Sequence, residues 1–88
     1  MTDAKSVRVK VVDERGVGIP GAFVSILRST VAFPEIALVT DRDGAVQLSL
    51  PEGKFVIGAN ALGKGQGELE IDSSIVDREL VVVLRPND

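Results

Sequence analysis

Thr40-Asp41-Arg42-Asp43-Gly44-Ala45-Val46-Gln47-Leu48-Ser49-Leu50-Pro51-Glu52-Gly53-Lys54-Phe55 is the stretch whose reading decides the fold. It starts with a turn, alternates through its middle and turns again before its end. In Asp41-Arg42-Asp43-Gly44 the aspartates cap local amides and the glycine accepts a positive φ. Ala45 to Leu50 then sends Val46, Leu48 and Leu50 one way and Gln47 and Ser49 the other, which is the two-residue period of a half-buried strand. Pro51-Glu52-Gly53 makes the next turn, and Phe55 opens the strand after it.

The same alternation continues on both sides. Upstream, Ser6 to Asp13 points Val7, Val9 and Val11 one way and Arg8 and Lys10 the other. Glu14-Arg15-Gly16 turns the chain, Ile19-Pro20-Gly21 returns it, and Ala22 to Arg28 forms the second strand. Ser29 to Pro34 reads as a loop, because Pro34 has no N–H for a ladder and holds Phe33 extended. Glu35 to Thr40 is the third strand. Downstream come Phe55 to Ala61, Gly67 to Asp72 and Glu79 to Arg85, with a flexible polar loop over Leu62 to Gln66 and a short helical turn over Ser73 to Arg78. No stretch of about ten residues keeps a helical period, so seven short strands predict an all-β, seven-stranded antiparallel sandwich.

At 88 residues, with 44 % of them apolar, the chain supports one domain with its core between residues 6 and 86. A net charge of −3 disfavours nucleic acid, which calls for a basic patch. The absence of Cys rules out disulfides, thiolate nucleophiles and zinc sites of the Cys type. No apolar run of about 18 residues and no signal-peptide core is present, so no membrane insertion is expected. The expected location is cytoplasmic, or outside the cell as part of a larger exported assembly.

The runs Val12-Asp13-Glu14-Arg15-Gly16, Ile19-Pro20-Gly21-Ala22, Thr40-Asp41-Arg42-Asp43-Gly44 and Leu50-Pro51-Glu52-Gly53-Lys54-Phe55, closed by Leu84-Arg85-Pro86, resemble the carboxypeptidase regulatory-like domains. Those domains belong to the transthyretin-like (prealbumin-like) Greek-key sandwiches, and the resemblance spans Val7 to Pro86. It implies that Phe55 is the aromatic core anchor and that the chain is an accessory or structural unit. Two positions depart from the pattern: Gly18 stands where the family often has Pro, and Lys64 stands where an aromatic usually follows Gly63. Hydroxyisourate hydrolases share the sandwich but rely on His and a C-terminal Tyr-Arg-Gly-Ser. This chain has neither His nor Tyr and ends Arg85-Pro86-Asn87-Asp88. Pilin and adhesin modules with internal isopeptide bonds need a Lys and a Glu where this chain has Val11 and Ala59.

Several pairings suggest chemistry and are better explained by turns and solvated faces. Asp41 and Asp43 lack the ligand spacing of a calcium loop, since Gly44 arrives two residues early. Glu68 and Glu70 lie on one strand face in water, whereas a glycosidase carboxylate pair needs a desolvated acid in a cleft. Gly63-x-Gly65-x-Gly67 precedes a strand, whereas a phosphate cradle precedes a helix. The spacing of Ser25, Ser49, Ser73 and Ser74 favours no Ser–Lys nucleophile. No enzyme activity, cofactor or metal is therefore expected. What remains is an apolar surplus on outward positions. With Ala22, Val24 and Ile26 inward, Phe23 and Leu27 point out, as does Val56 on strand five. In transthyretin-like sheets strands two and five are neighbours, so these three form one stripe. Val81 and Val83 on the last strand and Phe33 at the loop tip join them as candidate partner-interface residues. The expected function is a non-catalytic protein-interaction or structural module that contacts itself or a protein partner. Carbohydrate binding ranks below it, for want of Trp and Tyr.

Overall fold

The computed structural model describes residues 5–31, 37–75 and 79–86. The alternating segments form seven strands: β1 (Lys5–Val12), β2 (Phe23–Ser29), β3 (Ala37–Val39), β4 (Ala45–Leu50), β5 (Lys54–Ala61), β6 (Gly65–Asp72) and β7 (Leu80–Val83). They assemble into two sheets, of order β4-β1-β7 and β3-β2-β5-β6. The inward residues of both sheets share one core: Val7, Val9, Val11, Leu48, Leu50 and Val82 from the first, Val24, Phe55, Ile57, Ala59 and Ile71 from the second. Val7, Leu48 and Val82 alternate with exposed neighbours, as burying one face of a sheet requires, whereas Val11 is followed by buried Val12 and Ile57 by buried Gly58.

One pairing departs from the all-antiparallel expectation. β1 and β7 run parallel, with Val9 opposite Leu80 and Val11 opposite Val82. Periodicity shows which side chains are buried, but a strand buries the same residues whichever way it runs. The expected loop over Leu62 to Gln66 is also corrected. Lys64 N–H donates to the Ala61 carbonyl at 3.0 Å, and the ladder resumes with Ala61 opposite Gly65, so β6 starts two residues early out of a tight hairpin. Of the expected third strand over Glu35 to Thr40, Ala37–Val39 forms β3, Thr40 lies past its end, and residues 35–36 lie outside the described residues. Of the helical turn, Ser73–Ile75 are in a turn and residues 76–78 lie outside the described residues.

Gly65 and Gly67 are therefore strand residues that bring the sheets together at one edge. A Cβ on Gly65 would fall 2.0 Å from the Arg85 carbonyl oxygen, and one on Gly67 would fall 2.2 Å from that of Val83. Their bareness lets Gln66 and Arg85 exchange backbone bonds of 3.1 and 3.0 Å, joining β6 to the end of β7.

The turns before and after this framework use one device twice. Asp13 Oδ1 accepts the N–H groups of Arg15 and Val17 at 2.8 and 3.0 Å, and Asp41 Oδ1 accepts those of Asp43 and Ala45 at 2.9 and 3.0 Å. In each, the glycine three residues on has φ +83°. The expected capping role of Asp41 is what the geometry contains.

Thr40 ties β3 to the chain entering β2. It is buried; its hydroxyl accepts the Ala22 N–H at 2.9 Å and donates to the Ile19 carbonyl at 2.7 Å. Thr40→Val keeps the shape but leaves both partners unpaired, so denaturant unfolding is expected to show a loss of about 1–3 kcal/mol.

Candidate functional site

The outer face of the β3-β2-β5-β6 sheet is built in rows, because residues paired across antiparallel strands share a face. Phe23 lies opposite Val39 on one side and Asn60 on the other, and Asn60 lies opposite Gln66. The next row holds Ala37, Ser25, Gly58 and Glu68, and the one below it Arg28, Val56 and Glu70. Phe23, Leu27 and Val39 are 52 %, 50 % and 55 % exposed, a large apolar area for one face.

Leu27 owes its position to a bulge. The β2–β5 register shifts between Ile26 and Arg28, so Leu27 has no partner across the ladder. A bulge re-aims its side chain. Here the side chain lies over Gly58, where an added Cβ would meet Leu27 Cδ1 at 2.6 Å. Leu27 thus fills the dip in the middle row and carries the apolar surface from Phe23 towards half-buried Val56.

The structure brings Phe23, Leu27 and Val56 onto one face and puts Val81 and Val83 elsewhere. Those two valines pair with Lys10 and Val12, on the outer side of the β4-β1-β7 sheet. Phe33 lies outside the described residues. Val39 was missed in the sequence because Ala37-Leu38-Val39 is uniformly apolar and has no phase to read. Leu62, at the tip of the β5–β6 hairpin, was missed too. It joins Phe23, Asn60, Gln66 and Pro86 around an open cleft of about 700 Å³.

Charge is graded across the face. Glu68 and Glu70 stand exposed on β6, and no ion pair among the described residues involves them. Arg28 shares a row with Glu70 across Val56, and Lys54 pairs in register with Asp72. The ion pair present joins Arg8 Nε to Glu79 Oε2 at 2.6 Å on the opposite sheet.

Three aspartates titrate below their ordinary value of 3.8, each because donors hold the carboxylate. For Asp13 the main donor is the Val17 N–H, and for Asp41 it is the Ala45 N–H. For Asp72 it is the Ser74 hydroxyl, bonded at 2.6 Å. A folded pKa below the unfolded one stabilises the fold above the unfolded value, and that contribution disappears as pH falls through the folded value. Stability measured by denaturant titration is therefore expected to be level from neutrality down to about the ordinary aspartate pKa and to fall below it. Asp13→Asn with Asp41→Asn is expected to flatten that fall.

Of the serines weighed as nucleophiles, Ser73 has a structural occupation. Ser73 is buried, and its hydroxyl donates to the Pro51 carbonyl at 2.7 Å and accepts the Gly53 N–H at 3.0 Å. Among the described residues no group of three or more Asp or Glu could hold a metal ion.

The fold and the face together define a small two-sheet all-β domain with an uncovered apolar surface. No protein-family model matches the chain, and no curated protein matches it in sequence.

Proposed function

We propose that the chain is a non-catalytic docking module, a Greek-key sandwich of the transthyretin-like, carboxypeptidase regulatory-like kind. It binds a protein partner through the outer face of the β3-β2-β5-β6 sheet. The observation that carries this reading is the half-exposure of Phe23, Leu27 and Val39 on one continuous sheet face. Scattered surface apolars are ordinary, whereas a contiguous patch marks an interface. The kind of sandwich is supported by β1 lying between β4 and β7, β2 between β3 and β5, and by the Asp-x-x-Gly and Pro-x-Gly turns that join them.

A non-catalytic role is supported by the chemistry at hand. The chain has no His and no Cys. The displaced aspartates titrate low, whereas a carboxylic acid catalyst needs its pKa raised by an apolar pocket. Phe23 is the aromatic on the face, and a ring without a polar tip suits apolar side chains of a protein better than the hydroxyls of a sugar.

Phe23→Asp tests the reading. In affinity capture from the native cell extract, wild type and an Arg15→Glu control in the β1–β2 connection are expected to retain the same partner. Phe23→Asp is expected to weaken retention by more than about tenfold, as loss of a central aromatic anchor does. Equal retention by all three would remove the face from consideration.

A further inference from the structure

Of the strand edges among the described residues, most are protected. Along β6 the Gln66 N–H and carbonyl are taken by Arg85, and the edge beyond bears exposed Glu68 and Glu70. β7 turns its free side to that seam, and β3 is only three residues long. Charge, cover and shortness are the ordinary ways of keeping an edge from pairing. β4, bonded to β1 alone, has none of them. Ala45-Val46-Gln47-Leu48-Ser49-Leu50 contains no charged residue and no proline, and its register with β1 runs without a bulge from Lys5 opposite Leu50 to Lys10 opposite Ala45.

The phase of the hydrogen bonds shows which groups of that edge stand open. The Val11 N–H donates to the Gly44 carbonyl, so by alternation Val46, Leu48 and Leu50 direct their backbone groups towards β1. Ala45 points the other way: its carbonyl accepts the Asp41 N–H at 2.9 Å, and its N–H donates to Asp41 Oδ1 at 3.0 Å. Gln47 and Ser49 share the phase of Ala45. No hydrogen bond among the described residues engages their N–H or carbonyl groups. At the far end Pro51 has no N–H, and its carbonyl accepts the Ser73 hydroxyl. The open edge is therefore the backbone of Gln47 and Ser49, closed at one end by the Asp41 turn and at the other by the proline.

We propose that this edge pairs with the β4 edge of a second copy, antiparallel about a two-fold axis at Leu48, so that the two β4-β1-β7 sheets become one. In that register Gln47 of each copy lies opposite Ser49 of the other. Each such pair exchanges both backbone hydrogen bonds, and every open group on the two edges finds a partner. Self-complementarity selects a second copy. The strand is uncharged, so two of them side by side bring no like charges together, and Arg8, next to Gln47, is already paired with Glu79. A foreign peptide added to an edge is read through pockets for its alternate side chains. Here Leu48 and Leu50 are already buried, Gln47 and Ser49 stand exposed, and the clefts around Phe23, Ser25, Arg28 and Glu52 take no residue from β4. The contact is isologous and closes at two copies. It lies on the sheet that does not carry Phe23 and is independent of the docking reading.

Sedimentation velocity of the whole chain over rising concentration tests the pairing, with circular dichroism and denaturant unfolding of each variant. Wild type is expected to pass from one copy to two below about 1 mM and to go no further. Ser49→Pro removes an N–H that faces solvent in the single copy, where an edge strand tolerates proline. It is expected to keep its strands and to dimerise at least about tenfold more weakly, because the same bond is lost twice across the axis. A charge exchange reads the register without touching the backbone, and it carries the test if Ser49→Pro fails to fold. Gln47→Lys with Ser49→Lys sets like charges opposite each other and is expected to weaken the dimer by a similar factor. Gln47→Lys with Ser49→Glu sets opposite charges there and is expected to keep it. Phe23→Asp is expected to leave the dimer intact. A wild type that stays single up to that concentration overturns the pairing, as does growth beyond two copies. Equal behaviour of the two charge variants overturns it as well. A dimer that Phe23→Asp abolishes and the charge variants spare overturns it too, and puts the contact on the docking face instead.

Discussion

Replacing Phe55 by alanine is expected to lower the stability of the domain by about 3–5 kcal/mol, the usual range for emptying a buried phenylalanine site. The ring is 1 % exposed, and Phe55 sits between Ser29 and Ile71 on the inward face of the β3-β2-β5-β6 sheet. Its neighbours are held in paired strands and collapse only partly into the space it leaves, so a cavity penalty adds to the lost transfer energy. A domain of this length has about 4–13 kcal/mol in total, so the loss takes roughly a quarter of the stability or more. Thermal unfolding is expected to move down by more than about 12 °C. Phe55→Leu, which refills most of the volume, is expected to recover most of that shift. A shift under a few degrees for the alanine variant would mean that the core is not centred on this ring.

Gly44→Ala is the second large effect, and its origin is the backbone. Gly44 has φ +83°, the left-handed region that disfavours a Cβ. Its surroundings are closed as well. An added Cβ would lie 2.6 Å from Ile19 N and 2.7 Å from Val11 O, the donor and acceptor of a 2.8 Å hydrogen bond. It would also meet Gly18 Cα at 2.9 Å. The methyl group would wedge into a bond that ties the β1–β2 connection to β1, and backbone atoms cannot step aside as a flexible side chain does. Left-handed strain and overpacking together give an expected loss of about 2–5 kcal/mol, read by denaturant unfolding. Gly16→Ala is the control. Gly16 has the same φ but nothing within 4 Å of a Cβ, so its loss isolates the strain and is expected to be smaller. Equal losses at the two sites would mean that the close approach contributes nothing.

That approach also accounts for Gly18, which stands where the resembled family often has proline. A Cβ there would lie 2.1 Å from the Asp43 carbonyl oxygen, so the β1–β2 connection and the Asp41–Gly44 turn have room for glycine only. The departure is a local packing requirement of this chain. No pattern within the Gly18 segment announces it, because the atom that excludes the side chain comes from a turn 25 residues further along the sequence.

What the sequence determined by itself was everything that depends on neighbours along the chain. Alternation in Ser6–Asp13 and Ala45–Leu50 named the buried valines and leucines, and Asp-x-x-Gly and Pro-x-Gly placed the turns, because strand burial has a period of two and turn backbones select particular residues. The outward aim of Phe23 and Leu27 followed from the same parity. Only the tertiary structure decided which strands became neighbours and in which direction. It placed β7 parallel to β1, separated Val81 and Val83 from the Phe23 face, and brought Val39 beside Phe23. It also turned Gly65 from loop into strand, set Gly65 and Gly67 in a close seam with β7, and bent Leu27 over Gly58 through a bulge. Each of these depends on contacts between residues far apart in the chain, and a local period carries no information about the partner across the gap.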